Sequence, residues 1–180
     1  IDKEKYDRAL KYLLLLNNAD EDNLNVRVKI GLIYIERKMY DQAIESFKAI
    51  LAKSPDAEKV RFYLASVFEE VKRFEEAVEQ FKKISPTSSV YADATIHVGY
   101  LYKLMGKGEA SMAWIDEALK ANDRIPQFHI FKASLLEENR ELGAAVVVLE
   151  KAREKFGKDE RLLYYLGSLY DKQNNSGTGK

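Results

Sequence analysis

A small residue returns every thirty-four positions, as Gly31, Ala65, Gly99, Ala133 and Gly167, without one insertion or deletion. Three residues after each stands a large apolar group: Tyr34, Phe68, Tyr102, Leu136 and Tyr170. A second small series keeps the same register at Ala9, Ala43, Ala77, Ser111 and Ala145. Leu13, Phe47, Phe81, Ile115 and Leu149 follow it by four, and then Leu16, Ile50, Ile84, Ala118 and Ala152. A period in this range marks stacked supersecondary units, none of which buries its apolar face alone. Spacings of three and four keep each set on one helical face. The small residues let two antiparallel helices approach, and the large neighbour fills the groove beside them.

Composition agrees. Three prolines and nine glycines in 180 residues leave few breaks. Ala, Leu, Glu and Lys fill the intervals at helical spacing. The spacing predicts an all-α chain, with short turns at "ERKMYDQ", "EVKRFEE", "LMGKGEA" and "ENRELGA". Pro55, Pro86 and Pro126 fall at or near the repeat junctions, where a missing N–H costs least.

The segments "GLIYIERKMYDQAIESFKAILAKSP" and "ASVFEEVKRFEEAVEQF" resemble the tetratricopeptide repeat, a thirty-four-residue helix–turn–helix unit. The resemblance covers about residues 5–172 and implies a right-handed α-solenoid. The expected division is a second helix of a partial repeat over 1–23 and four repeats over 24–57, 58–91, 92–125 and 126–159. A first helix of a partial or capping repeat follows over 160–173, then a disordered tail over 174–180. An array phased in this way reads as a piece of a longer one. Some slots depart from the family. Its early tryptophan is replaced by Arg27, Arg61, Thr95, His129 and Leu163. Lys132 stands where other repeats have Ile30, Leu64, Val98 and Leu166, and Ser89, Asp123 and Gly157 stand where Pro55 ends a repeat.

Several chemistries are disfavoured. "GKGEAS" at 106–111 has the ingredients of a phosphate loop, but Leu101 stands where a Walker loop needs glycine, and helix precedes it. It occupies the register of "KMYDQA" and "KRFEEA", so it is a turn between helices. The ending "SGTGK" fails likewise at Asn174. The two histidines, His97 and His129, occupy different slots and form no i,i+4 ligand pair. Adjacent carboxylates such as Glu69-Glu70, Glu75-Glu76 and Glu137-Glu138 recur with the repeat, as a solvated helix face does. Trp114, with Met105 and Met112, reads as packing. Neither a catalytic residue, a metal nor a cofactor is expected. Equal numbers of basic and acidic residues, 29 of each, disfavour nucleic acid. The longest near-continuous apolar run, 12–16, is far short of the ~20 residues of a spanning helix.

In this family the first helices line an inner surface that takes a peptide. The resemblance therefore implies a partner site of Val28, Leu32, Phe62, Ser66 and Glu69, continuing through Ile96, Tyr100, Lys103, Ile130, Ser134, Glu137 and Tyr164. Family members that grip a chaperone's C-terminal carboxylate carry lysine and asparagine there. Here those slots are apolar or hydroxyl, and only Lys59 and Arg161 lie nearby, so that clamp is not expected. The expectation is a non-catalytic scaffold recruiting another protein, or a peptide segment with apolar residues. The alternative is a structural module that self-associates head to tail through its terminal half repeats. The regular, short-turned repeats favour a bacterial source, and the cytoplasm or periplasm.

Overall fold

The computed structural model describes residues 3–20 and 23–177. Among these there are ten helices and no strand: α1 Lys3–Ala19, α2 Leu24–Glu36, α3 Tyr40–Lys53, α4 Glu58–Glu70, α5 Phe74–Lys82, α6 Tyr91–Leu104, α7 Gly108–Ala121, α8 Pro126–Glu138, α9 Leu142–Phe156 and α10 Glu160–Gly177. The chain divides into two compact units, 1–94 and 95–180. In the first, α2–α3 and α4–α5 are helical hairpins, and α1 packs on α2. In the second, α8–α9 is such a hairpin, α7 packs on α8, and α10 packs on α9 and α8.

Each hairpin closes with one turn chemistry. Lys38, Lys72, Gly106 and Arg140 lie thirty-four residues apart and all have positive φ, at 57°, 62°, 72° and 66°. The next residue donates its N–H back across the turn, Met39 to Tyr34 O, Arg73 to Phe68 O, Lys107 to Tyr102 O and Glu141 to Leu136 O, each at 2.8 Å. This is the Schellman closure, in which one left-handed residue redirects the chain and satisfies a terminal carbonyl. Its apolar contact is visible in the second repeat, where the Arg73 guanidinium sits 4.6 Å from the Phe68 ring centre. Gly106 of "GKGEAS" is the only glycine among the four positions.

The periodic slots form the core between the helices. Gly31, Ala65, Gly99 and Ala133 are buried, as are Ala43, Ala77, Ser111 and Ala145 opposite. Phe47, Ile50, Ile115 and Leu149 are fully enclosed. Ser111 is accommodated in an alanine slot because its hydroxyl donates to Gly99 O at 2.7 Å. In the outer half repeats the same slots open to solvent. Ala9 and Gly167 are exposed, Leu16 is 48% exposed and Tyr170 41%. A slot is buried only where helices cover it from both sides.

One expectation is revised. The helix expected to end at residue 173 runs on to Gly177, so 174–177 are helical and not a disordered tail. No proline interrupts it before the glycine at its last position. Residues 178–180 lie outside the described residues. Lys132, the polar residue in an apolar slot, is held by an ion pair with Asp116 at 2.6 Å.

Candidate functional site

The slot of the family's tryptophan has been rebuilt rather than lost. Arg61 donates to Pro55 O at 2.6 Å and to Gln80 Oε1 at 3.1 Å. His129, two repeats later, has Nε2 2.9 Å from Asp123 O, the position matching Pro55. In the intervening repeat the slot holds small, buried Thr95, and Trp114 matches Gln80. Trp114 Nε1 donates to Thr95 O at 2.9 Å, tying α7 to α6. Two relations thus recur: Arg61 and His129 each hold the carbonyl six residues earlier, and Gln80 and Trp114 each tie the second helix to the slot.

In the first unit the expected partner residues Val28, Leu32, Phe62, Ser66 and Glu69 are all half-buried. Phe62 folds back on its own hairpin, its ring edge-on to Phe81 at 5.2 Å. Ser66 donates its hydroxyl to Phe62 O at 3.0 Å.

In the second unit Ile96 is half-buried and Tyr100 is 44% exposed. Lys103 places its ammonium 5.8 Å from the Tyr100 ring centre and 2.5 Å from Glu138 Oε1. Ile130 is half-buried against the α8–α10 core, and Ser134 donates to Phe131 O at 2.7 Å. Tyr164 stands 82% exposed. Glu137, a member of the expected partner site, receives hydrogen bonds from Lys172 and from the Tyr165 hydroxyl. The Lys172 hydrogen bond, then that of Tyr165, holds its carboxyl below the ordinary range. Burial, then Glu137, pushes the Tyr165 phenol up. The charged groups of this strip are committed within the fold, and its openly presented groups are the two tyrosines. The Glu137 pairing has a sequence signal. Lys103 with Glu138 and Glu137 with Lys172 are opposite charges thirty-five residues apart, one repeat plus one.

The shifted carboxylates are Glu76, Asp123, Glu137 and Asp159, each lowered first by a hydrogen bond, from Arg73, Lys155, Lys172 and the Leu162 N–H respectively. A general acid working near neutrality needs the opposite shift. Among the described residues no group of three His, Cys, Asp or Glu could hold a metal ion, and no helix is long and apolar enough to cross a membrane.

A family model described as "Tetratricopeptide repeat" matches residues 34–88. No curated protein matches the chain. Among solved structures, MamA is 21% identical with a TM-score of 0.66, covering 88% of this chain and 87% of its own. A thermophilic TPR protein of Thermus thermophilus is 20% identical with a TM-score of 0.62, covering 93% of this chain and 91% of its own. A tetratricopeptide repeat protein from Parabacteroides merdae is 16% identical with a TM-score of 0.68, covering 96% of this chain and 69% of its own. At these identities the likeness is one of fold.

Proposed function

We propose that this chain, an array of tetratricopeptide repeats, is a non-catalytic scaffold that recruits a segment of another protein along its first helices. The observation that carries the reading is the pair of aromatics presented there, Tyr100 and Tyr164. They occupy the slots of Leu32 and Val28, on the side of each first helix that the periodic core leaves uncovered. Tyrosine is a favoured contact residue because a rigid ring offers apolar area and its hydroxyl stays polar. Ile96, Ile130 and the self-satisfied Ser134 flank them, which suits an apolar segment. Ionic recognition fits less well, since Lys103 and Glu137 are engaged within the fold.

A capture experiment from the source organism tests this. Wild type is compared with a Tyr100→Glu, Tyr164→Glu double variant, both checked for folding by circular dichroism. A protein retained by wild type and lost by the variant supports the reading. Equal capture by both baits removes it.

The outward apolar rows of α1 and α10 favour a second reading, self-association. Tyr12, Leu15 and Leu16 are 68%, 57% and 48% exposed, and Leu163 is 40% exposed. If so, mass by light scattering rises with concentration and falls to one chain in Leu15→Glu. A concentration-independent mass rules this out.

A further inference from the structure

Two clefts recur in equivalent places, each bounded by two successive second helices over the first helix between them. Those among α1, α2 and α3 and among α3, α4 and α5 hold about 330 and 310 Å3. A third lies nearer the helix starts, between the first turns of α7, the C-terminal half of α8 and Glu141 ahead of α9, and holds about 750 Å3. One residue leaves it open. Position 108 opens its helix in the slot that Tyr40, Phe74 and Leu142 hold at the starts of α3, α5 and α9. Tyr40 shows what such a side chain does, reaching from the start of α3 across to the end of α4, where its hydroxyl donates to Glu70 at 3.2 Å. Glycine leaves that volume open, and a Cβ at Gly108 would meet nothing within 4 Å.

The walls have a definite chemistry. Met112 and Leu136 are apolar, and Lys132 and Asp116 make an ion pair at 2.6 Å. Glu109 and Glu141, both exposed, line the cleft as well. Three carboxylates therefore face one ammonium, which is already matched by one of them. The volume is within the roughly 300–1,000 Å3 typical of pockets that take a small ligand or an anchoring side chain. By helical periodicity this side of α8, with Lys132 and Leu136, is opposite Ile130 and Ser134. It is a separate surface from the tyrosine strip.

The geometry points to a second docking site, in which a partner peptide inserts a tyrosine into the notch left by Gly108, with basic residues beside it. The ring replaces the side chain that the other repeats supply themselves and lies against Met112 and Leu136. Its lysine or arginine neighbours meet Glu109 and Glu141, which also set the preference against acidic segments.

The test is an NMR titration of the full chain with two probes, acetyl-Lys-Tyr-Lys-amide and p-cresol. Saturable shifts of the Met112 methyl and the Gly108 amide are expected with both. Gly108→Tyr, or Gly108→Leu in the manner of Leu142, fills the notch from within and weakens both probes by at least about tenfold, with melting unchanged or raised. Glu109→Gln with Glu141→Gln weakens the tripeptide several-fold and leaves p-cresol unchanged. Absent shifts, or binding undiminished in both Gly108 variants, overturn the proposal. So does a Met112 signal that moves with protein concentration alone, because a second copy then fills the cleft.

Discussion

For single residues in this array, the sign of a substitution's effect is set by backbone conformation and neighbours, not by residue type or position within the period alone. Glycine fits the left-handed turn at Gly106, whereas Lys38, Lys72 and Arg140 adopt it with a Cβ. The left-handed region costs a non-glycine residue roughly 1–2 kcal/mol, against a glycine entropy penalty of about 0.5–1 kcal/mol. Lys72→Gly and Arg140→Gly should therefore each stabilise by roughly 0.5 kcal/mol, and Gly106→Ala should destabilise by about 1 kcal/mol. Thermal melts of the three variants check this, and a destabilised Lys72→Gly would contradict it. The helix glycines give the same contrast. A Cβ at Gly31 would meet the fully buried Phe47 ring, which has no room to turn, while at Gly167 it would meet nothing within 4 Å. Gly31→Ala should lower stability because overpacking, about 1–3 kcal/mol, exceeds the ~1 kcal/mol gain in helix propensity. Gly167→Ala keeps only that gain and should raise it. One slot thus yields opposite outcomes in one melting series.

At the scale of elements, α10 is held by two devices that respond to pH in the same direction. Asp159 caps it, its carboxylate accepting the Leu162 N–H at 3.0 Å. Glu137 ties α10 to α8 through Lys172 and Tyr165. Both carboxyls are held below their ordinary values, Asp159 chiefly by the Leu162 N–H and Glu137 chiefly by Lys172. A lowered folded-state value means the stabilisation is complete above the unfolded-state values, about 3.9 for Asp and 4.3 for Glu. It is lost as pH falls through the lower folded-state values. Amide protection factors in α10, taken relative to the intrinsic exchange rate at each pH, should fall on acidification below about pH 4 more steeply than those in α4. Asp159→Ala should cost α10 about 1 kcal/mol at neutral pH, and with Glu137→Gln should flatten the acid response. An acid response unchanged in the double variant would assign it elsewhere.

At the scale of the molecule, stability within each unit is close to a sum over neighbouring helices, as in stacked-repeat arrays generally. Damage should accordingly stay near where it is made. Ala77 is fully buried in the first unit, and Ala77→Leu should overpack α5 against α4 by roughly 1–3 kcal/mol. Hydrogen exchange should then show lost protection in α4 and α5 with α8 and α9 nearly unchanged. Uniform loss across both units would instead mean that the chain unfolds as one cooperative body.

The thirty-four-residue period was readable without coordinates, since small and large residues at fixed spacing dictate helical faces and close approach. It led to the all-helical architecture, the buried slots Ala43, Ala77 and Ser111, and the turn reading of "GKGEAS". The occupants of the family's tryptophan slot were readable too, but not the three contacts through which Arg61, Thr95 and His129 serve it. Only the tertiary structure decided which copies of a slot are covered, because Gly31 and Gly167 are the same letter in the same register with different neighbours. It also decided that Glu137 is a fastening within the fold. The notch at Gly108 is likewise tertiary, since a missing side chain becomes a cleft only when packed helices hold the surrounding walls in place.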